Sequence, residues 1–590
     1  MSIEGIMTKV FSFNKNHRDL SAGHNSCLKT VNGVNGLPKS IAPGFPDLDN
    51  EFNQMGITHV RLHDGFGIGD IDNYFQVDRK NNQNQMIVNV SEENKPAAKK
   101  LVADIANVRS LFPNAALGMR NHDVSLALKD ANYEMTDAYL RDVLNNQADL
   151  NPDNIQRQLL FRIGRSLDGG YEIPEDFDIY AILVKTLVNR YGVNYSSIGL
   201  PRKISYWEIW NEPDLLFFWN TDDPQKYYQL YEKVVRLIKT VDPDAKVGGA
   251  GISFSNHAGG HYIDGFFRYC RDNHVPLDFF SWHGYVDTGD PQNIIDMGNT
   301  IQKSLHTYGF TKTESICTEW NSSPFGSRNT FTKVQSPKNA AYIASSLIYM
   351  QYTKVDLAHY YRGDGLSFGL FNDQPNPKNP SVRNFCTYSA QSFGLFAKIL
   401  KTPYILSGQK DFSTGLTVLA AENKSGNKIN ILAANYKVDK SFSDGNVAPV
   451  PADLYRQYYL DTSRTLDQLT DTCSKNRWFG GIDPTTIQSN NAVVQKDPVQ
   501  QLPLDSLLRP KTRDYTHSDQ GVTVVIDHIC CKKFKVKAYR IQQGGSLEKI
   551  TPPEVTNQIN VSIANNKLTL VDKGAKPSTV TLYSLELIHH

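Results

Sequence analysis

Two acids stand at the ends of apolar runs in this chain, each just ahead of a proline. In YWEIWNEPD, residues 206–214, aromatic and branched apolar residues lead to Asn211, Glu212 and Pro213. Pro213 has no backbone N–H and keeps Glu212 out of the helical region, so the chain leaves its strand there with the carboxylate at the mouth. In ESICTEWNSSP, starting at residue 314, the run closes on Glu319, Trp320 and Asn321 before Pro324. Two carboxylates at strand ends that surround one cleft suit hydrolysis of a glycosidic bond. One acid protonates the leaving oxygen, and the other carboxylate attacks the anomeric carbon or activates water there. Their separation decides between retention and inversion, and sequence does not give it.

Elements of alternating type surround both motifs. From about residue 159 to 400, short apolar runs alternate with helical patterns: LLFRIGRS (159–166), the helical PEDFDIYAILVKTLVNRYG (174–192), the YWEIW strand, and a helix from Asp223-Pro224 with Tyr227, Tyr231, Val234, Val235 and Ile238 on one face. KVGGAG (246–251), LDFFSWHGY (277–285), ESICTEWN (314–321) and VDLAHYYRG (355–363) continue the strands, with helices between and after them. THVRLHDG (58–65) and the VFSFN region (10–14) supply two more strands and bring the count to eight. Alternation requires parallel strands with right-handed crossovers, and eight of them predict a closed (β/α)8 TIM barrel over residues 10–400. A doubly wound open sheet is the alternative, disfavoured because no Gly-rich phosphate turn opens these helices. On this count Glu212 closes the fourth strand and Glu319 the seventh, so both face one cleft at the C-terminal ends of the strands.

Residues 66–158 form a long insertion after the second strand, placed to shape the cleft or to lie beside it as a surface subdomain. Beyond residue 401 the pattern changes to short alternating runs such as GLTVLAAE (415–422) and KINILAANY (428–436). They predict an antiparallel β-sandwich to residue 590, joined in one version by the extreme N-terminus and interrupted by an insertion near 440–518.

The composition narrows the partners. Sixty-two Lys and Arg balance 61 Asp and Glu, which argues against nucleic acid or an anionic membrane and for a neutral substrate, an oligo- or polysaccharide. The seven cysteines are scattered without zinc spacing, and the histidines show no His-Glu-x-x-His pattern; no metal or cofactor is expected. The N-terminal segment lacks an apolar h-region and no stretch approaches 18 apolar residues, so a soluble, cytoplasmic chain is the expectation unless a signal has been removed.

WEIWNEPD, SWHGY and TEWNSSP, together with RLHD (61–64), resemble glycoside hydrolase family 39, whose activities include β-xylosidase and α-L-iduronidase; TEWNSSP is closer to the xylosidase-like branch. The resemblance runs from about residue 10 to 400 and implies a retaining enzyme. It makes Glu212 the acid/base and Glu319 the nucleophile, and it implies that Asn211 meets the sugar 2-hydroxyl and that Tyr285 donates to Glu319. His63 and His283 match positions lining the sugar subsite. Arg61 shares a strand face with His63 and joins the same cleft, steadying the carboxylates. Trp320 is a candidate for stacking on a sugar face, with core packing as the alternative. Two other functions remain open: an enzyme for uronic-acid-containing glycans or exopolysaccharide, using Arg61, Arg162, Arg165 or Arg362 against a carboxylate, and a non-catalytic carbohydrate-binding protein on a decayed barrel.

Overall fold

The computed structural model describes residues 8–38, 47–62, 76–77, 86–87, 133–145, 156–164, 173, 177–214, 218–219, 221, 223–253, 259–285, 290–322, 336–363, 369–371, 386–412, 415–437, 521–542, 554–555 and 559–588. The chain opens with strand β1 (Thr8–Arg18), then β2 (Gly33–Asn35), helix α1 (Asp49–Gln54), β3 (His59–Leu62), α2 (Glu134–Asn145), β4 (Gln158–Ile163) and α3 (Phe177–Val188). It continues through β5 (Tyr206–Ile209), α4 (Pro224–Lys239), β6 (Lys246–Ile252), α5 (Gly259–Asp272), β7 (Phe279–Tyr285), α6 (Asn293–Thr307), β8 (Glu314–Asn321), α7 (Pro337–Met350), β9 (Leu357–Tyr360) and α8 (Tyr388–Leu400). Strands β2 to β9 close into a parallel barrel, β9 pairing with β2.

Local chemistry sets the helix starts. Asp223 accepts from the Gln225 N–H at the head of α4, with Pro224 in the first turn. Ser336 and Thr387 cap α7 and α8 in the same way. On α4, Tyr227, Tyr231, Val234, Val235 and Ile238 are buried, as their spacing predicts.

The barrel interior is layered. Leu160, Phe279 and Ile316 form an apolar plug, flanked by Tyr206 and Leu357. Residues two further along the same strands share the face; Glu208 on β5, Ser281 on β7 and, from β3, Arg61 make a buried polar layer above the plug. The cleft side chains sit above that layer.

The first barrel strand is Gly33–Asn35, not the VFSFN region. Phe11 and Phe13 are buried but belong to the second core, because β1 pairs with β10 (Tyr404–Gly408) and with β13 (Gly521–Asp527). A three-residue strand within TVNGVNGLP reads as turn by composition, whereas VFSFN alternates as a half-buried strand should.

The C-terminal strands are β11 (Leu416–Glu422), β12 (Lys428–Asn435), β14 (Lys533–Ile541), β15 (Glu554–Val555), β16 (Ile559–Ala564), β17 (Lys567–Asp572) and β18 (Thr579–Ile588). With β1, β10 and β13 they form one ten-stranded sheet in the order β15-β14-β18-β12-β11-β10-β1-β13-β17-β16. Its pairs are antiparallel except β1 with β13. The expected sandwich is thus a single curled sheet: Ile431 and Leu585 from one arm share a core with Val524 and Leu570 from the other. The opposite face of one arm packs on the barrel. Leu419, Leu432 and Leu582 join the barrel's core cluster, Tyr342 of α7 meets Tyr436 edge to face at 5.8 Å, and Asn430 donates to the Lys398 carbonyl at 2.8 Å. The insertions at 66–158 and 440–518 lie largely or wholly outside the described residues.

Candidate active site

Glu212 follows the end of β5, where the chain turns sharply. Trp210 and Glu212 have φ of +73° and +46°, a left-handed conformation that costs a non-glycine residue about 1 kcal/mol or more and persists only when its surroundings enforce it. Backbone bonds do so here: the Trp210 N–H donates to Ile163 at 2.8 Å and the Glu212 N–H to Gly251 at 3.0 Å, tying the turn to β4 and β6. Asp214 adds a third tie. Its carboxylate accepts from the Ser253 N–H at 3.1 Å and the Ser253 hydroxyl at 2.9 Å.

Glu319 reaches the cleft through a bulge. Cys317 is opposite Trp282 and Glu319 opposite His283, so β8 carries Thr318 as an extra residue. With Ile316 facing inward, plain alternation would aim Trp320 into the barrel and Glu319 outward. The extra residue reverses both, as bulges do next to many sites. Trp320 is accordingly 0% exposed, packed edge to face on Tyr360 at 5.0 Å and beside Tyr342 of α7. The expectation that it stacks on a sugar is corrected: it belongs to the packing between barrel and helices.

At the mouth, His283 Nδ1 lies 2.6 Å from Glu212 Oε1 and 3.6 Å from Glu319 Oε2. One donor atom each from Glu212, His283 and Glu319 fall within 4.8 Å of one another. Tyr285 donates its hydroxyl to Glu319 Oε2 at 2.6 Å. Burial first, then the Glu319 charge, push its phenol well above the ordinary tyrosine value, so it stays protonated as a donor.

Arg61 joins the site from beneath. Its Nε donates to Glu208 at 2.5 Å, Nη1 to Glu319 Oε1 at 2.7 Å and to Asn35 at 3.0 Å, and Nη2 to Asn211 at 2.9 Å. With no exposed surface, it lies under the cleft and not in its lining, so it is a clamp on the carboxylates and makes no contact with substrate. It sets the orientation of Glu319 and Asn211 and supplies positive charge that burial alone would weaken but Glu208 and Glu319 reinforce. Asn211, its oxygen taken by Arg61, is left with its NH2 group as a donor. Both oxygens of Glu319 accept bonds, and His283 Nδ1 is bonded to Glu212. The three donor groups, which could otherwise hold a divalent cation, are therefore engaged with one another and with a guanidinium.

Burial by itself would lower the His283 imidazole, but the charges of Glu319 and Glu212 outweigh it and carry the group above the ordinary histidine value. Burial, with Glu212 as the lesser cause, pushes the Asp214 carboxyl up to about 6 against the bonds from Ser253. His63 and Arg165 lie outside the described residues. Arg162 is buried on β4 in register with Glu208, and Arg362 is buried just past β9. Sequence reading passed over Glu208, Asn35 and Asp214. Glu208 had a signal: it is the one charged residue inside the YWEIW run, at an inward position.

Among the described residues no helix is long and apolar enough to cross a membrane, and six cysteines are unpaired.

Comparison with known proteins shows what this barrel is similar to. Residues 169–361, which contain both carboxylates, match the model for glycosyl hydrolases family 39. Over 199 residues the chain is 29% identical to a beta-xylosidase of Geobacillus stearothermophilus, covering 30% of this chain and 37% of that protein; the match spans well under half the relative's length. Two solved structures share the fold end to end. A glucosidase from Croceicoccus marinus has a TM-score of 0.62 at 20% identity, covering 99% of this chain and 100% of the other. A monomeric beta-xylosidase from Caulobacter crescentus CB15 has a TM-score of 0.57 at 15% identity, with the same coverage. Through its barrel, with the acids at the ends of the fourth and seventh strands, the chain is similar to the glycosyl hydrolases of family 39 over residues 169–361.

Proposed function

We propose that this protein is a retaining glycoside hydrolase for a β-linked neutral sugar, a xyloside first among the substrates to try. The observation that carries the reading is the closeness of the two acids, with oxygens of Glu212 and Glu319 inside one 4.8 Å cluster. Retention needs carboxyl groups about 5 to 5.5 Å apart, whereas inversion needs about 6.5 to 9.5 Å to admit water. The balanced net charge and the beta-xylosidase relative support the choice of sugar.

In the first step Glu319 attacks the anomeric carbon while protonated Glu212 passes its proton to the leaving oxygen. The C–O bond breaks, and a glycosyl ester forms on Glu319. Arg61 and Tyr285 hold Glu319 ionised and aimed until then. Asn211 donates to the sugar 2-hydroxyl, a bond that strengthens as charge develops at the ring. Esterification removes the Glu319 negative charge, so both His283 and Glu212 bind a proton less tightly. Glu212 is thereby prepared to take a proton from water, which attacks the ester and releases sugar with the original configuration.

The test is replacement of Glu319 by Ala. Turnover of an aryl β-glycoside is expected to fall by about 10⁴-fold or more, and azide should restore it with a glycosyl azide of inverted configuration. NMR of the wild-type product anomer gives the stereochemistry directly, and ordinary turnover by Glu319→Ala ends the assignment.

A further inference from the structure

Beneath the two acids, two buried polar atoms converge without partners. Glu208 Oε1 and His283 Nε2 have no hydrogen-bond partner among the described residues, and both residues are 0% exposed. They meet beside Gly251. A Cβ built there would lie 3.1 Å from His283 Nε2, 3.3 Å from Glu208 Oε1 and 3.6 Å from Arg61 Nη2. Gly251, at φ +61°, thus carries no side chain where a carboxylate oxygen, an imidazole nitrogen and a guanidinium converge on one narrow niche, and a methyl there would crowd the first two. Leaving such atoms unsatisfied costs about 1 to 3 kcal/mol each, and the usual solution is one buried water with several polar partners.

We propose that Glu208 is a positioning residue for the glycosidase reaction: through one water held beside Gly251 it accepts the Nε2–H of His283 and keeps that imidazole doubly protonated. The Nδ1 proton is then committed to Glu212. The inference deepens the glycosidase reading and rests on it only for its kinetic consequence. A chain of alternating charge results, Glu319 to Arg61 to Glu208 to His283 to Glu212; its direct contacts are 2.7 Å (Glu319 to Arg61), 2.5 Å (Arg61 to Glu208) and 2.6 Å (His283 to Glu212). The groups facing His283 are Glu208 and Glu212 from β5 and its end, Arg61 from β3, Glu319 from β8 and Tyr285 on its own strand, with Asp214 behind Glu212. The charges of Glu319 and Glu212 favour the imidazolium, but the reaction esterifies the first and protonates the second at alternate stages, whereas Glu208 takes part in neither change. The alternating chain thus keeps a cation against the acid/base throughout the cycle.

Glu208→Gln tests this, since it preserves shape and an acceptor for Arg61 while removing charge and placing an NH2 group or a neutral oxygen toward the niche. In ¹⁵N-histidine-labelled, substrate-free protein, with the His283 signals assigned from His283→Gln, wild-type His283 should titrate above the ordinary histidine value of about 6.5, and Glu208→Gln should lower its midpoint by about one pH unit. On an aryl glycoside the alkaline limb of kcat/KM should move to lower pH in Glu208→Gln, and this shift should vanish in the His283→Gln background. A His283 midpoint unmoved by Glu208→Gln, or a limb that shifts equally without His283, overturns the proposal. Should Glu208→Gln not fold, wild-type His283 titrating at or below 6.5 overturns it alone. The NMR arm needs no turnover, so an inactive wild type with the titration difference intact sinks the glycosidase reading and leaves the relay standing.

Discussion

Asp214 shows how a single carboxyl at this site trades stability for local electrostatics. Its folded value of about 6 stands above the ordinary aspartate value, so the folded state binds this proton more tightly than the unfolded chain. The resulting stabilisation is full below about pH 4 and is lost as pH rises through about 6, up to about 3 kcal/mol in all. Asp214→Asn retains an acceptor for Ser253 and cannot ionise. The stability of Asp214→Asn relative to wild type, read from urea midpoints, should therefore climb between about pH 4 and 6 and stay level above; a difference that does not vary with pH would contradict the assignment. At the same scale the sequence made the two acids and their neighbours legible, because each closes an apolar run that a proline follows in the sequence. It could not show that Arg61 is wholly enclosed. A guanidinium beneath a cleft and one lining it share a strand position and a parity, and only the partners, Glu208, Glu319, Asn35 and Asn211, separate them.

Among elements, β8 carries the lesson. Its apolar run and its end were readable, but the inserted Thr318 was not, since a bulge has no compositional mark in ESICTEWN. That one residue decides which of two adjacent side chains faces the cleft. Trp320 fills the space between β8, Tyr360 and Tyr342, so Trp320→Ala should destabilise the fold by about 3 to 5 kcal/mol. Trp320→Phe, which keeps most of the volume, should recover much of that loss and leave KM for an aryl glycoside within about twofold, since the ring is wholly enclosed by its neighbours. A KM raised tenfold by Trp320→Phe would return the indole to the subsite. The same limit of local reading moved the first barrel strand. Gly33–Asn35 is held by its neighbours β3 and β9 and not by its own propensity, whereas VFSFN has the propensity and spends it on the other sheet.

For the whole molecule, the curled sheet is part of what keeps the barrel folded. Leu419, Leu432, Val580 and Leu582 share one core with the barrel helices, and α7 has buried residues along its entire length, from Pro337 to Met350. A helix buried all round has no solvent face to fall back on. Ending the chain after Leu400 would uncover that side of α7 and α8, each buried leucine opposite representing about 1.5 to 3 kcal/mol of lost burial. The shortened chain is expected to aggregate on expression, and a monodisperse, cooperatively melting product on size exclusion and calorimetry would refute this.

The place of β1 has a further consequence, for how the chain comes to be finished. It is made ahead of the barrel, yet its antiparallel partner is Tyr404–Gly408 and its parallel partner begins at Gly521. At ribosomal rates of about 5 to 20 residues per second, the nascent strand waits on the order of half a minute to nearly two minutes with Phe11 and Phe13 uncovered. Everything that forms the barrel is synthesised in the interval. A strand from ahead of the barrel thus latches only with segments from beyond it, and damage to that strand would spare the barrel during translation and surface afterwards, when the sheet tries to lock.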